Sequence, residues 1–265
     1  MHGGPSVWLA PVLERLGFAD APTVDEDGLT AVYRAWGRRI SFDNVRKLIA
    51  LRGGEPGPLP GTDADDFFDA WLRHGTGGTC WPSANALHEL LRALGFDSRR
   101  VVASMYDTGR PSHGTTIVTF DGREFCVDSS VLTDRPVPLD PGGPTAVDHP
   151  PVHTTAEPVA EGWLFDFPWA QGDERIACRT LSPDRVGFEV FAERYEASRA
   201  AGAFNERLFA HTNRDATTLT LVGAKRFRRT VDGVDAHELD DEQLREALIG
   251  ELSFSEEIVG CLLEP

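Results

Sequence analysis

The sequence predicts an α+β protein whose helices and strands fall into separate layers. Three observations carry this. Apolar residues recur at helical spacing through about residue 96, short β-rich runs take over from Arg99 to about Cys178, and a small mixed unit closes the chain.

The first layer rests on Ala31, Val32, Ala35 and Trp36, and again on Phe67, Phe68, Trp71 and Leu72, each set spaced to fill one helical face. Between them the stretch 52–66, RGGEPGPLPGTDADD, is too rich in Gly and Pro for regular structure. A further stripe, Leu87, Leu90, Leu91 and Leu94, ends at Gly95, which suits a helix C-terminus. Runs 100–105, 115–120 and 123–127 read as strands, whereas the Pro-, Asp- and Gly-rich stretch 133–161 reads as a long inter-strand loop. A helix is expected over 187–200. Strands follow near 217–222 and 226–231, with a turn at Asp232-Gly233. The last helix starts at Asp240 and carries Leu244, Leu248 and Leu252 on one stripe.

Composition bounds the function. Of 265 residues, 41% are hydrophobic and 26% charged, as in ordinary globular proteins. No apolar run reaches the roughly 18–20 residues of a membrane span, and the N-terminus lacks a secretory signal pattern, so a cytoplasmic protein is expected. A net charge of −16 argues against nucleic-acid binding, which needs a basic surface. The four cysteines, Cys80, Cys126, Cys178 and Cys261, form no C-x-x-C pair, and neither a metal site nor a disulfide framework is expected.

Cys80 stands apart. It follows Gly77-Gly78 and precedes Pro82, a residue suited to the first turn of a helix, so the cysteine falls at a helix N-terminus. There the macrodipole and the unpaired N–H groups favour a thiolate and an oxyanion. A buried structural cysteine fits this segment equally well. The segment 112–131 decides between them.

Asp121-Gly122 between two β runs predicts a two-residue hairpin that pairs Phe120 with Arg123, Thr115 with Asp128 and His113 with Ser130. His113, Thr115, Ile117, Cys126, Asp128 and Ser130 then share one face. His113 and Asp128 become diagonal neighbours within hydrogen-bonding reach, and a one-residue slip would part them. An imidazole oriented by a carboxylate is the base that a thiol nucleophile needs. Cys80, His113 and Asp128 are thus expected to form a catalytic triad, with Cys126 packing beneath it.

With Gly77-Gly78-Thr79-Cys80 opening a helix, LLRALGF after it, and His113 and Asp128 beyond, the chain resembles the arylamine N-acetyltransferase family, within the papain/transglutaminase-like group. The segments 41–45 (SFDNV), 187–209 and 219–233 extend the resemblance over nearly the whole chain. It implies a helical bundle over 1–96 carrying the cysteine and a central antiparallel β-barrel over 97–182 carrying His and Asp. A connecting helical region over 183–215 and a small α/β lid over 216–265 complete it. It also implies ping-pong acyl transfer from a thioester, acetyl-CoA or another acyl-CoA or acyl-carrier thioester, to a small-molecule amine, with no other cofactor. Phe42, Gly78, Thr79, Ser129 and Ser130 become substrate-binding candidates. Lys225 and Arg226, in one of the chain's basic patches, become candidates for an anionic donor.

Three places depart from the family pattern. Thr76 stands where the family has arginine, and Trp81-Pro82-Ser83-Ala84 lacks its polar residues after the cysteine. Ser129-Ser130-Val131-Leu132 replaces its glycine-rich turn, which lines the acceptor pocket. An amide synthase of secondary metabolism using a carrier-bound chain, a thioester or amide hydrolase, and a binding protein with a vestigial triad remain alternatives.

Overall fold

The computed structural model describes residues 6–54, 56–169, 174–182 and 184–264. Five helices form the first layer: α1 (Leu9–Leu16), α2 (Glu26–Arg39), α3 (Val45–Gly53), α4 (Ala64–His74) and α5 (Cys80–Ala93). Asp25 and Asp63 cap α2 and α4 by accepting from the N–H groups of Gly28 and Asp66. The apolar stripes meet where Trp36 stacks on Phe67 with ring centres 5.9 Å apart and Phe68 meets both edge-on. A short strand, β1 (Phe42–Asp43), separates α2 from α3.

The second layer is an eight-stranded antiparallel sheet. Its strands are β2 (Asp97–Met105), β3 (His113–Phe120), β4 (Arg123–Cys126), β5 (Val137–Leu139), β6 (Thr145–His149), β7 (Val152–Val159), β8 (Gly162–Pro168) and β9 (Arg175–Thr180), in the order β5-β4-β3-β2-β9-β8-β7-β6. The sheet curls until β5 lies against β6 and β7, and the barrel nearly closes. The stretch 133–161, expected as a loop, therefore carries three strands. Its turn residues misled: Pro138 sits in β5, at an end of the sheet where a missing N–H costs no ladder bond.

The β3–β4 hairpin keeps the expected register, with Phe120 opposite Arg123 and Ile117 opposite Cys126. One face of it looks into the barrel, where Ile117 and Cys126 pack with Val101, Phe165 and Cys178. The other face packs on the helices: Val118, Phe125 and Val127 join the bundle core, and Thr116 donates to the Ala84 carbonyl of α5 at 3.1 Å. Strand β3 is thus covered on both sides, which holds its first residue, His113, beside the start of α5.

After α6 (Phe188–Ala197), a five-stranded antiparallel sheet forms in the order β1-β10-β11-β12-β13, from β10 (Phe209–Arg214), β11 (Thr217–Val222), β12 (Lys225–Thr230) and β13 (Gly233–Glu238). Strand β10 lies inside the stretch expected to be a helical connection. It fills the gap between β1 and β11, pairing with both. The final helix begins as expected at Asp240, with a capping box to Gln243, as α7 (Asp241–Glu246). It runs into a π turn over Ala247–Glu251, followed by α8 (Glu256–Leu263). Leu244, Leu248 and Leu252 pack there with Leu219, Leu221 and Val259. No helix among the described residues is long and apolar enough to cross a membrane.

Candidate active site

The loop before α5 is anchored from below. Asp43 is fully buried and accepts from the Ser41 hydroxyl (2.7 Å), the Gly77 N–H (2.6 Å) and the Val45 N–H (3.1 Å). Burial pushes its pKa up, against the pull of these donors. Position 77 requires glycine, because a Cβ there would lie 1.9 Å from the Ser41 carbonyl oxygen. Gly78 bridges to Phe42, and its carbonyl accepts from the Asp43 N–H (3.1 Å) and the Ser83 hydroxyl (2.8 Å). SFDNV and the two glycines therefore form one clamp that sets where Cys80 emerges.

Cys80 is the first residue of α5, after Thr79 as N-cap. The first helical bond here runs from the Ser83 N–H to the Thr79 carbonyl. The N–H groups of Cys80 and Trp81 thus face the end of the helix, and Pro82 has none to satisfy.

His113 Nε2 and Asp128 Oδ2 are 2.7 Å apart, so the hairpin delivers the expected pair. Asp128 lies just past β4, where the Val127 N–H still bonds the Thr116 carbonyl at 3.0 Å and carries the register forward. Its Oδ1 accepts from the N–H groups of Ser130 (2.8 Å) and Val131 (3.1 Å), and its carbonyl accepts from the Tyr33 hydroxyl of α2 (2.7 Å). Burial alone would lower the imidazole pKa. The Asp128 charge and hydrogen bond, with a smaller contribution from the nearby Cys80, override it and raise the pKa to about 10. Cys80 Sγ itself lies 3.9 Å from the Ser112 carbonyl oxygen. Asp128 is held below the usual carboxylate range, against its own burial, by the imidazolium and the turn donors. Since Nε2 is taken by Asp128, Nδ1 is the nitrogen left for Cys80.

Cys80 and His113 open into a cleft of about 740 Å³, lined also by Phe42, Thr79 and Ser130. Ser130 is buried, and its hydroxyl, like that of Ser129 behind it, has no hydrogen-bond partner. Gly78 and Ser129 lie outside the lining. Lys225 and Arg226 do too: on β12 they face Glu238 and His237 of β13, and Arg226 is paired with Glu251 at 2.8 Å.

Sequence reasoning missed the cations that do line the cleft, Lys47, Arg110, Arg194 and Arg207. Among the described residues no aspartate or glutamate joins them, and none of the four is ion-paired to a carboxylate. Arg38, Arg46, Arg99, Arg100 and Arg179 elsewhere all are. They come from three separate stretches of chain, and no local pattern announces them. The bracing by Tyr33 was equally hidden, because its partner is far away in sequence.

A helix-borne cysteine facing a histidine and an aspartate on a nearly closed barrel defines a thiol-centred class of site, and the fold is that of solved arylamine N-acetyltransferases. The chain is similar to the Mycobacterium marinum arylamine N-acetyltransferase solved in complex with CoA. The TM-score is 0.81 at 19% identity, covering 95% of this chain and 94% of that one. It is also similar to the (BACCR)NAT3 arylamine N-acetyltransferase from Bacillus cereus, described as having a unique Cys-His-Glu catalytic triad. There the TM-score is 0.75 at 14% identity, with coverage of 93% and 98%. Over 122 residues it is 27% identical to proansamycin X synthase of Amycolatopsis mediterranei (strain S699), a match spanning 44% of this chain and 45% of that relative. The profile of the N-acetyltransferase family matches residues 26–254, and the chain belongs to that family.

Proposed function

We propose that this protein transfers an acyl group from a thioester to an amine in two steps, through an acyl group held on Cys80. The observation that carries the reading is the imidazole of His113, fixed by Asp128 at 2.7 Å through Nε2 and opening into the same cleft as Cys80 at the start of α5. In the first step Sγ attacks the thioester carbonyl as a thiolate whose proton is held on the His113 imidazolium, and the donor C–S bond breaks. The departing thiol leaves with the proton from His113. In the second step the amine attacks the acyl-enzyme and gives a proton to the imidazole. The C–Sγ bond breaks, and Cys80 recovers its proton. The free N–H groups of Cys80 and Trp81 would stabilise the oxyanion in both steps.

Phe42, Thr79 and Ser130 would contact substrate within the cleft. The exposed arginines Arg110, Arg194 and Arg207 at the cleft would meet the phosphates of the donor. The CoA complex of the M. marinum relative supports an acyl-CoA donor. A second reading, amide synthesis from a longer, carrier-bound acyl chain, is favoured by the match to proansamycin X synthase and by a cleft of about 740 Å³, far larger than an acetyl group requires.

Intact mass spectrometry after incubation with acetyl-CoA, malonyl-CoA and longer acyl thioesters tests this. The expected result is a mass increase of one acyl group that disappears in Cys80→Ala. Absence of an adduct from every thioester would overturn the reading. Adding an amine then separates the transferase, which yields an amide, from a hydrolase, which yields free acid.

A further inference from the structure

Lys47, on α3, is 3% exposed, yet its ammonium reaches the cleft that holds Cys80. Its hydrogen-bond partners are neutral: Nζ donates to the Ser198 hydroxyl at 2.8 Å and, more weakly, to the Ser198 carbonyl at 3.5 Å. It lies over the Tyr195 ring, 5.6 Å from the centroid, and the Tyr195 hydroxyl donates to the Pro60 carbonyl at 3.0 Å. A buried cation with no carboxylate within ion-pair distance is costly, the more distant charges of Glu196 and of a Cys80 thiolate offset only part of that cost, and a neutral side chain would tie α3 to Ser198 without it. The cost is visible in the ammonium, whose pKa burial lowers to about 8. At Gly202, which lines the cleft, a Cβ would lie 2.7 Å from the Ser198 carbonyl oxygen, 2.9 Å from Asn205 Oδ1 and 3.2 Å from Nζ, so this backbone packs tightly beside the lysine.

The anions a thioester donor brings do not match this position. In coenzyme A or a carrier thioester the whole pantetheine arm separates the nearest phosphate from the reacting sulfur, and phosphates therefore belong at the exposed arginines. An anion that meets Lys47 while the reacting carbon is at Cys80 must sit within a few bonds of the reacting group, and carboxylate is the common group that does.

We propose that Lys47 binds a substrate carboxylate beside Cys80, carried either by the acyl group being transferred or by the amine that receives it. The proposal rests on the acyl-transfer reading for which substrate is meant, but not for the anion site itself.

Calorimetric titration of the Cys80→Ala protein, which binds without turnover, compares two pairs: malonyl-CoA against acetyl-CoA, and 4-aminobenzoate against aniline. In one pair the carboxylated member should bind at least about tenfold more tightly, as one charge-assisted contact provides. Lys47→Met should abolish that preference while leaving the thermal transition in place. A preference in the thioester pair assigns the carboxylate to the acyl group, and one in the amine pair assigns it to the acceptor. Equal binding within both pairs, or a preference that survives Lys47→Met, overturns the proposal. Because the comparison within Cys80→Ala needs no Lys47 variant, poor folding of that variant does not rescue the idea. A carboxylate preference without acylation of the parent Cys80 would sink the acyl-transfer reading alone. Acylation without a preference would sink the Lys47 site alone.

Discussion

Asp128→Asn replaces one atom at the centre of the site, and the surrounding hydrogen bonds dictate how the amide turns. Oδ1 accepts from two backbone N–H groups, those of Ser130 at 2.8 Å and Val131 at 3.1 Å, so the amide oxygen must stay there. The NH₂ group then faces His113 Nε2, 2.7 Å away in the parent, where two donors cannot meet. The ring must present a lone pair at Nε2 and carry its proton on Nδ1, towards Cys80, which removes the acceptor for the thiol proton. The carboxylate charge that helps raise the imidazole pKa to about 10 is lost as well. Together these should lower kcat/KM on the order of 10³- to 10⁴-fold, as when a buried orienting carboxylate becomes an amide in other triads. That is about 4–5.5 kcal/mol in the barrier. First-turnover release of coenzyme A from acetyl-CoA and alkylation of Cys80 by iodoacetamide should slow together. Asp128→Ala serves as the structural control. It orphans both turn N–H groups, each worth about 1–3 kcal/mol, and should lower Tm by several degrees more than Asn does, at about 2–4 °C per kcal/mol. An Asn variant within tenfold of the parent rate would refute the orienting role.

Further outcomes follow from the buried histidines and from Gly77. His88, His149 and His211 are buried, and desolvation lowers their pKa values to about 3, 4 and 4. Between about pH 6.5 and 4 the unfolded chain therefore binds protons that the native protein refuses. Stability is full above that window and falls as the pH drops through it, by at most about 1.4 kcal/mol per pH unit per histidine. His113 has the opposite sign: its raised pKa contributes stability that is complete below about pH 6.5 and is lost as the pH rises through about 10. A Tm that is flat from pH 7 to 4.5 would contradict the first statement. Gly77→Ala places a Cβ against the Ser41 carbonyl oxygen, 1.9 Å away, and should cost about 1–3 kcal/mol or more while slowing alkylation of Cys80. Unchanged Tm and reactivity would show that the clamp is not rigid.

The legible parts of this protein are those written in local chemistry. Asp121-Gly122 set a hairpin register that carries through to the Val127–Thr116 bond, so the meeting of His113 and Asp128 was readable from spacing alone. The helix start at Asp240 was likewise readable from its cap residue. What stayed hidden depends on closure. Strands β5 to β7 carry Pro138, Asp148 and Pro158, which lower any local preference for strand, and the ladder that overrides this exists only once the barrel curls round. Strand β10 is similar, gaining its identity from the gap between β1 and β11. The basic patch around Lys225 and Arg226 looked suited to an anion because its acidic neighbours, Glu238 and Glu251, are distant in sequence.

Charge ties these observations together. A chain of net charge −16 would repel an anionic donor at long range, and several of its surface arginines, Arg38, Arg46, Arg175, Arg179 and Arg185 among them, pair with neighbouring carboxylates. The cleft inverts that arrangement, with four unpaired cations and no acidic side chain among the described lining residues. Surface carboxylates outside the cleft would then disfavour phosphate binding elsewhere on the molecule, while the low-dielectric walls strengthen attraction inside it. On this view the three rim arginines and Lys47 divide one task by depth. The rim meets charge that must stay in water, and the buried lysine meets charge that enters with the reacting group. The proposed roles of Cys80, His113 and Asp128 need neither, so on the proposed reading a change at Lys47 would alter which substrate is taken without altering the chemistry at the sulfur.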